Sequence, residues 1–209
     1  MIVIVDYGLG NLYSVVNAFG VIDCRAHISN KIEDLRKAER IVLSGVGAFS
    51  NGIKNLKDMG LVETLHEEVI DKGKPFLGIC LGMQLIARSS DEGGHREGLG
   101  WVPADVKRLE VEDQNLKLPH MGWNDINIKL KDPLFRGIDA DFNFYFVHSY
   151  HLVCDTPAII GATCNYGIDF VAAIQKDNVF GTQFHPEKSH KNGFQLLRNF
   201  VDYDAAKVE

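Results

Sequence analysis

The sequence predicts an open α/β fold: a mostly parallel central sheet flanked by helices, with a more antiparallel C-terminal half. Three observations predict it. Apolar, β-branched runs at 2–5, 40–43 and 76–79 alternate with segments of helical apolar spacing, as in a βαβ sheet covered on both faces. At Cys80 the third of these runs gives way to the helical spacing of Leu81, Leu85, Ile86 and Ala87, with Gly78 and Gly82 two residues away on each side. From Trp101 onward the texture changes to short segments rich in β-branched and aromatic residues.

Taken in order, Ile2 to Val5 reads as a first core strand. The loop Asp6-Tyr7-Gly8-Leu9-Gly10-Asn11 leads into an amphipathic segment that runs to Phe19 and is closed by Gly20. Gly8-x-Gly10 does not complete a dinucleotide fingerprint, because the third glycine would fall at Tyr13. Asn30 with Glu33 resembles a capping box opening a helix through Ala38. The strand at 40–43 ends in Ser44-Gly45-Val46-Gly47-Ala48-Phe49, which is either a plain connector or a loop with free peptide N–H groups for an anion. A surface helix over 61–72 follows, stopped by Gly73, and 89–98 is a polar, glycine-rich loop. Later strands are expected at 102–109, 125–130, 142–153, 159–164, 170–175 and 179–184, then a helix carrying Phe194, Leu196, Leu197, Phe200 and Val201. With no repeat or linker, the 209 residues read as one domain, 1–209.

Composition narrows the class. Twenty-eight acidic against 22 basic residues leave a net charge of −6 and no basic tract, which argues against nucleic acid as the main partner. No apolar run nears the ~18 residues that span a bilayer, so no membrane role is expected. Cys24, Cys80, Cys154 and Cys164 show no short-spaced pairing, and the N-terminus reads as a strand rather than a leader, so a reducing cytoplasm is the expected location. No metal and no cofactor are expected.

Cys80 is the candidate nucleophile. An isolated cysteine is ordinarily a buried structural residue. Flanking glycines at a strand-to-helix turn instead match the G-x-S-x-G elbow with sulfur replacing the hydroxyl, at a helix N-terminus that favours a thiolate. Such a nucleophile needs a base and a group to orient that base. Of eight histidines, His27, His66, His95 and His190 read as solvent-facing. His148 and His151, three apart in an apparent strand, should lie on opposite faces and share no metal. His120 sits in an apolar turn. His185 ends a strand at Phe184-His185-Pro186-Glu187, and Glu187, two residues on, projects from the same face of an extended backbone. Cys80, His185 and Glu187 therefore form the economical triad, as nucleophile, base and orienter.

Gly78-Ile79-Cys80-Leu81-Gly82-Met83-Gln84 together with Phe184-His185-Pro186-Glu187 resembles the class I (triad) glutamine amidotransferases. Asp6-Tyr7-Gly8-x-Gly10-Asn11, Gly45-Val46-Gly47, the block from Pro119 to Asn124 and Tyr145-Phe146-Val147-His148-Ser149-Tyr150 narrow the resemblance to the glutaminase subunits of imidazole glycerol phosphate synthases. The resemblance implies that family's α/β fold and hydrolysis of glutamine to glutamate and ammonia. It implies an oxyanion met by the backbone N–H groups of Val46 and Leu81, and a glutamine pocket including Gly47, Gln84, Ser149 and Tyr150. The ammonia would pass to a separate (β/α)8-barrel cyclase subunit, faced by Gly10, Asn11, Pro119, His120, Met121, Gly122, Trp123, Asn124 and Tyr145. One residue departs from the pattern: Ser44 stands where the family usually has proline, which adds a backbone N–H and loosens φ before the oxyanion turn. Three rivals accompany this reading: the same chemistry serving a sugar amidotransferase, a different Cys-His hydrolase, and a scaffold with a decayed site.

Overall fold

A computed structural model describes residues 1–139 and 142–204. Its thirteen strands form one sheet with the backbone order β2-β1-β3-β4-β13-β12-β10-β7-β5-β6. The first five of these positions are parallel: β1 (Ile2–Val5), β2 (Ala26–Ser29), β3 (Arg40–Gly45), β4 (Phe76–Cys80) and β13 (Val179–Thr182). The C-terminal half adds β7 (Ala104–Arg108), β8 (His120–Ile128), β9 (Asn143–His148), β10 (Tyr150–Cys154), β11 (Ile160–Tyr166) and β12 (Ile168–Lys176), linked mainly by antiparallel pairing. Two apolar cores, one on each face of the sheet, bury β1, β4 and β13 completely and β3 beyond Arg40, which is why those four strands read as continuous apolar runs.

The helices α1 (Leu12–Val21), α2 (Ile32–Lys37), α3 (Phe49–Asp58), α4 (Val62–His66), α5 (Leu81–Leu85) and α6 (His190–Asp202) depart from sequence expectation in several places. α1 runs through Gly20, which is exposed in ordinary helical backbone and stops nothing. α2 lacks a side-chain cap; Ser29 accepts from the Lys31 N–H and donates to Asp34 instead of Asn30 acting. α3 was not foreseen, because its buried Phe49, Ile53 and Leu56 sit among polar residues around Gly52. α4 passes into a π-helical turn, Glu67–Asp71, rather than continuing as one α-helix. β2 escaped notice because it is only half buried, and the polar loop at 89–98 holds the short hairpin β5 (Ser89–Ser90) and β6 (Arg96–Glu97). The strand expected over 142–153 breaks at Ser149 into β9 and β10.

Register decides what meets at the C-terminal edge of the sheet. Gly45 of β3 lies opposite Cys80, and Ile79 lies opposite Thr182 of β13. The crossing from β4 to α5 is close: a Cβ on Gly82 would stand 1.7 Å from the Leu43 carbonyl oxygen, and one on Gly78 would stand 2.7 Å from that of Gly82. Gly82→Ala should therefore destabilise the fold by about 3 kcal/mol, whereas Gly20→Ala, with open space around it, should stabilise by about 0.5–1 kcal/mol. Denaturant unfolding of the two variants checks this pair of opposite signs.

Candidate active site

Cys80 closes β4 and caps α5 with φ 52° and ψ −109°, a conformation that a side-chain-bearing residue holds only under constraint. The strain lifts the sulfur out of the sheet plane into a cavity of about 300 Å³, leaving the residue 6% exposed. Leu81 is the first residue of α5, so its N–H has no acceptor within the helix and is free for a ligand.

His185 follows β13 on a short extended stretch anchored at both backbone groups. Its N–H donates to the Tyr145 carbonyl at 2.9 Å, and its carbonyl accepts from the Ser189 hydroxyl at 2.6 Å. Glu187 reaches it through a 3-10 turn, Pro186–Lys188, rather than through the extended backbone expected from the two-residue spacing. The Nδ1 to Oε1 distance is 2.7 Å, with both side chains 2% exposed. A carboxylate beside Nδ1 makes that nitrogen the donor and leaves Nε2 for the nucleophile. Nε2 is buried and has no hydrogen-bond partner among the described residues. Burial opposes charging of this imidazole, but the Cys80 sulfur and the Glu187 carboxylate beside it outweigh that, and the pKa is pushed up to about 10. Cys80 and Glu187 thus both bear on the His185 imidazole, as a nucleophile and an orienter would have to bear on a base.

Val46, Gly47, Gln84, Ser149 and Tyr150 line the same cavity as Cys80 and Leu81. Gln84 donates to the Tyr150 carbonyl and to the Gln183 side-chain oxygen, each at 3.0 Å. Four lining or neighbouring residues were missed, one being Val147, whose carbonyl oxygen lies 3.8 Å from the Cys80 sulfur. Glu92, from the polar loop, lines the cavity and accepts from the Phe49 N–H at 2.7 Å. Gln183 is fully buried, with Nε2 3.7 Å from the Cys80 sulfur. His148 lines the cavity and is 6% exposed. Only Gln183 carried a sequence signal, as a polar residue in an apolar strand end two before His185.

The residues expected to face a partner divide. Gly10 and Asn11 are exposed, and Asn11 also caps α1 by accepting from the Ser14 N–H. Met121 and Trp123 are exposed, Gly122, Asn124 and Tyr145 half-buried. Trp123 stacks on His190 at 5.0 Å and meets Tyr145 edge-on, while Pro119 lines the cavity. His120 does not face outward: it is 2% exposed, because it opens β8 on the inner side with its ring against Phe146 and Tyr166. His148 and His151 do not lie on opposite faces either. The chain turns at Ser149, and both rings approach Phe170. Among the described residues no group of His, Cys, Asp or Glu could hold a metal ion.

Burial pushes the thiols of Cys154 and Cys164 up to about 11 and about 12, and raises that of Cys24. Iodoacetamide at pH 7 should therefore alkylate Cys80 ahead of the other three, and Glu187→Gln should slow that labelling about tenfold. Peptide mapping checks it; labelling spread evenly over the four cysteines would contradict it.

Comparison with known proteins follows the same lines. A family model described as glutamine amidotransferase class-I matches residues 3–203. The chain is 49% identical over 201 residues to the imidazole glycerol phosphate synthase subunit HisH 1 of Campylobacter jejuni, covering 96% of this chain and 99% of that one. It is 48% identical over 202 residues to the subunit HisH 2 of Pseudomonas aeruginosa, covering 97% and 99%. A crystal structure of a glutamine amidotransferase shares the fold, with a TM-score of 0.74 at 19% identity over 96% of this chain and 97% of that one. By the extent of the family match and by these near full-length relatives, the chain belongs to the class-I glutamine amidotransferases.

Proposed function

We propose that the chain, as one glutaminase domain over 1–209, hydrolyses L-glutamine to glutamate and ammonia. The ammonia goes to a separate (β/α)8-barrel cyclase subunit that forms imidazole glycerol phosphate and AICAR in histidine biosynthesis. The observation that carries the reading is the buried His185–Glu187 pair aimed at a strained cysteine on the wall of a small cavity. Likeness over nearly the whole chain to synthase subunits supports this acceptor over a sugar amidotransferase. We place the reaction in the cytoplasm, where thiols stay reduced; the described residues hold four free cysteines and no helix long and apolar enough to cross a membrane.

In this scheme the Cys80 thiol passes its proton to His185 Nε2, the sulfur attacks the side-chain amide carbon of glutamine, and a C–S bond forms as the carbonyl electron pair moves to the oxygen. The oxyanion meets the N–H groups of Leu81 and Val46. The C–N bond then breaks as His185 Nε2–H protonates the departing ammonia, leaving a γ-glutamyl thioester. Water attacks the thioester with His185 as base, releasing glutamate and the free sulfur; Glu187 stabilises the imidazolium at each stage. Glu92 is the carboxylate on the cavity wall and suits the α-ammonium of the substrate. Both N–H groups of Gln84 are engaged, so its oxygen is left to accept from the ligand.

The exposed Met121 and Trp123, with half-buried Tyr145 edge-on against Trp123, form an apolar face that adjoins Pro119 on the cavity wall and suits docking of the cyclase subunit. Basal glutaminase activity should accordingly be low and rise when the ligand-bearing partner docks. In the reconstituted complex, Cys80→Ala should abolish glutamine-dependent turnover yet leave turnover with ammonium salt; retained glutamine turnover would refute the scheme. Glu92→Gln should raise the KM for glutamine about tenfold with a smaller change in kcat, as loss of one charge-assisted contact does.

A further inference from the structure

Behind the cavity lies a buried line of polar side chains that the catalytic scheme does not use. Asn124 Nδ2 lies 3.3 Å from His120 Nε2, His120 Nδ1 lies 3.0 Å from His148 Nε2, and His148 Nδ1 lies 2.9 Å from the Tyr150 carbonyl oxygen. A carbonyl only accepts, so His148 carries its proton on Nδ1. Its Nε2 then offers a lone pair, which makes His120 Nδ1 the donor and His120 Nε2 the acceptor from Asn124. The Tyr150 carbonyl at one end and the His120 donor at the other thus agree on one tautomer of His148. A proton added to either ring would face another N–H. Burial keeps both rings neutral, pushing His120 down to about 4 and His148 down to about 3.

The same carbonyl also accepts from Gln84, which donates in turn to Gln183, whose amide nitrogen stands 3.7 Å from the Cys80 sulfur. Stacking on Phe146 at 4.9 Å and Tyr166 at 4.0 Å holds the His120 ring in place from the apolar side. The inner end of the line is the wall of the glutamine cavity, and its outer end, Asn124, adjoins the exposed Trp123.

We propose that His120 is a positioning residue for the amide-splitting site: by donating from Nδ1 it locks His148 in the Nδ1–H tautomer and so holds the Tyr150 carbonyl and Gln84 against the glutamine pocket. With the other tautomer, a His148 lone pair would oppose the carbonyl oxygen and push the Ser149–Tyr150 break away from Gln84. The kinetic consequence rests on the glutaminase reading; the tautomer does not.

Two measurements test the proposal. In the full chain with 15N-labelled histidine, NMR should show His148 protonated on Nδ1 and bare on Nε2; a proton on Nε2 would overturn the proposal whatever reaction the protein performs. In the reconstituted complex, His120→Asn places an amide N–H where Nδ1 stands, while His120→Leu keeps the volume and loses the donor. The Leu variant should raise the KM for glutamine about tenfold with kcat changed less than about threefold, and the Asn variant should recover most of that loss. Equal kinetics in the two variants would reduce His120 to a space-filling residue and overturn the positioning role. Should the Leu variant not fold, a tenfold loss in the Asn variant would overturn it equally.

Discussion

The parallel pairing of β4 with β13 is the constraint on which the site depends. The two strands are about a hundred residues apart in the chain, yet Phe76 to Ile79 pair in register with Val179 to Thr182. That register brings Cys80, one residue beyond Ile79, and His185, three beyond Thr182, out of the same edge of the sheet. β3 pairs on the other side of β4 and adds Gly45, whose turn continues into Val46 and Gly47. A slip of one residue would exchange the faces of every side chain on the moved strand, so full burial on both faces fixes the catalytic geometry along with the core.

On this rigid edge most polar groups are buried with a partner; Tyr7 Oη, His185 Nε2 and Glu187 Oε2 are buried with no hydrogen-bond partner among the described residues. His185 Nδ1 and Glu187 Oε1 pair with each other, and anchors at the His185 N–H and carbonyl hold the residue in place. Gln84, Gln183, His148 and His120 form a connected set whose donor directions leave no choice of tautomer. The His185 Nε2, with no hydrogen-bond partner among the described residues, is where the proposed scheme assigns proton transfer. The strained φ of Cys80 is tolerated because Gly78 and Gly82 let backbone pass where any side chain would collide.

Much of this was legible in the sequence for local reasons. Strands buried on both faces appear as unbroken apolar runs, the elbow announces itself by two glycines around Cys80, and Pro186 sets His185 and Glu187 apart from an ordinary strand end. What stayed hidden depends on distant contacts. β2 is half exposed and α3 has a broken apolar stripe, so neither shows a clean period. Glu92 reaches the cavity from a loop whose composition says only that it is polar. The shared side of His148 and His151 follows from the break at Ser149, and the inward turn of His120 from its place at the start of β8; no local pattern marks either. Ser44, where the family usually has proline, is 3% exposed within β3.

The most direct measurement is the identity of the covalent species formed during turnover. Mass spectrometry of the complex, quenched in acid during steady-state hydrolysis of glutamine, should find a γ-glutamyl adduct on the peptide carrying Cys80. Turnover without any adduct, or an adduct on Cys24, Cys154 or Cys164, would contradict a nucleophile held at the β4–β13 edge.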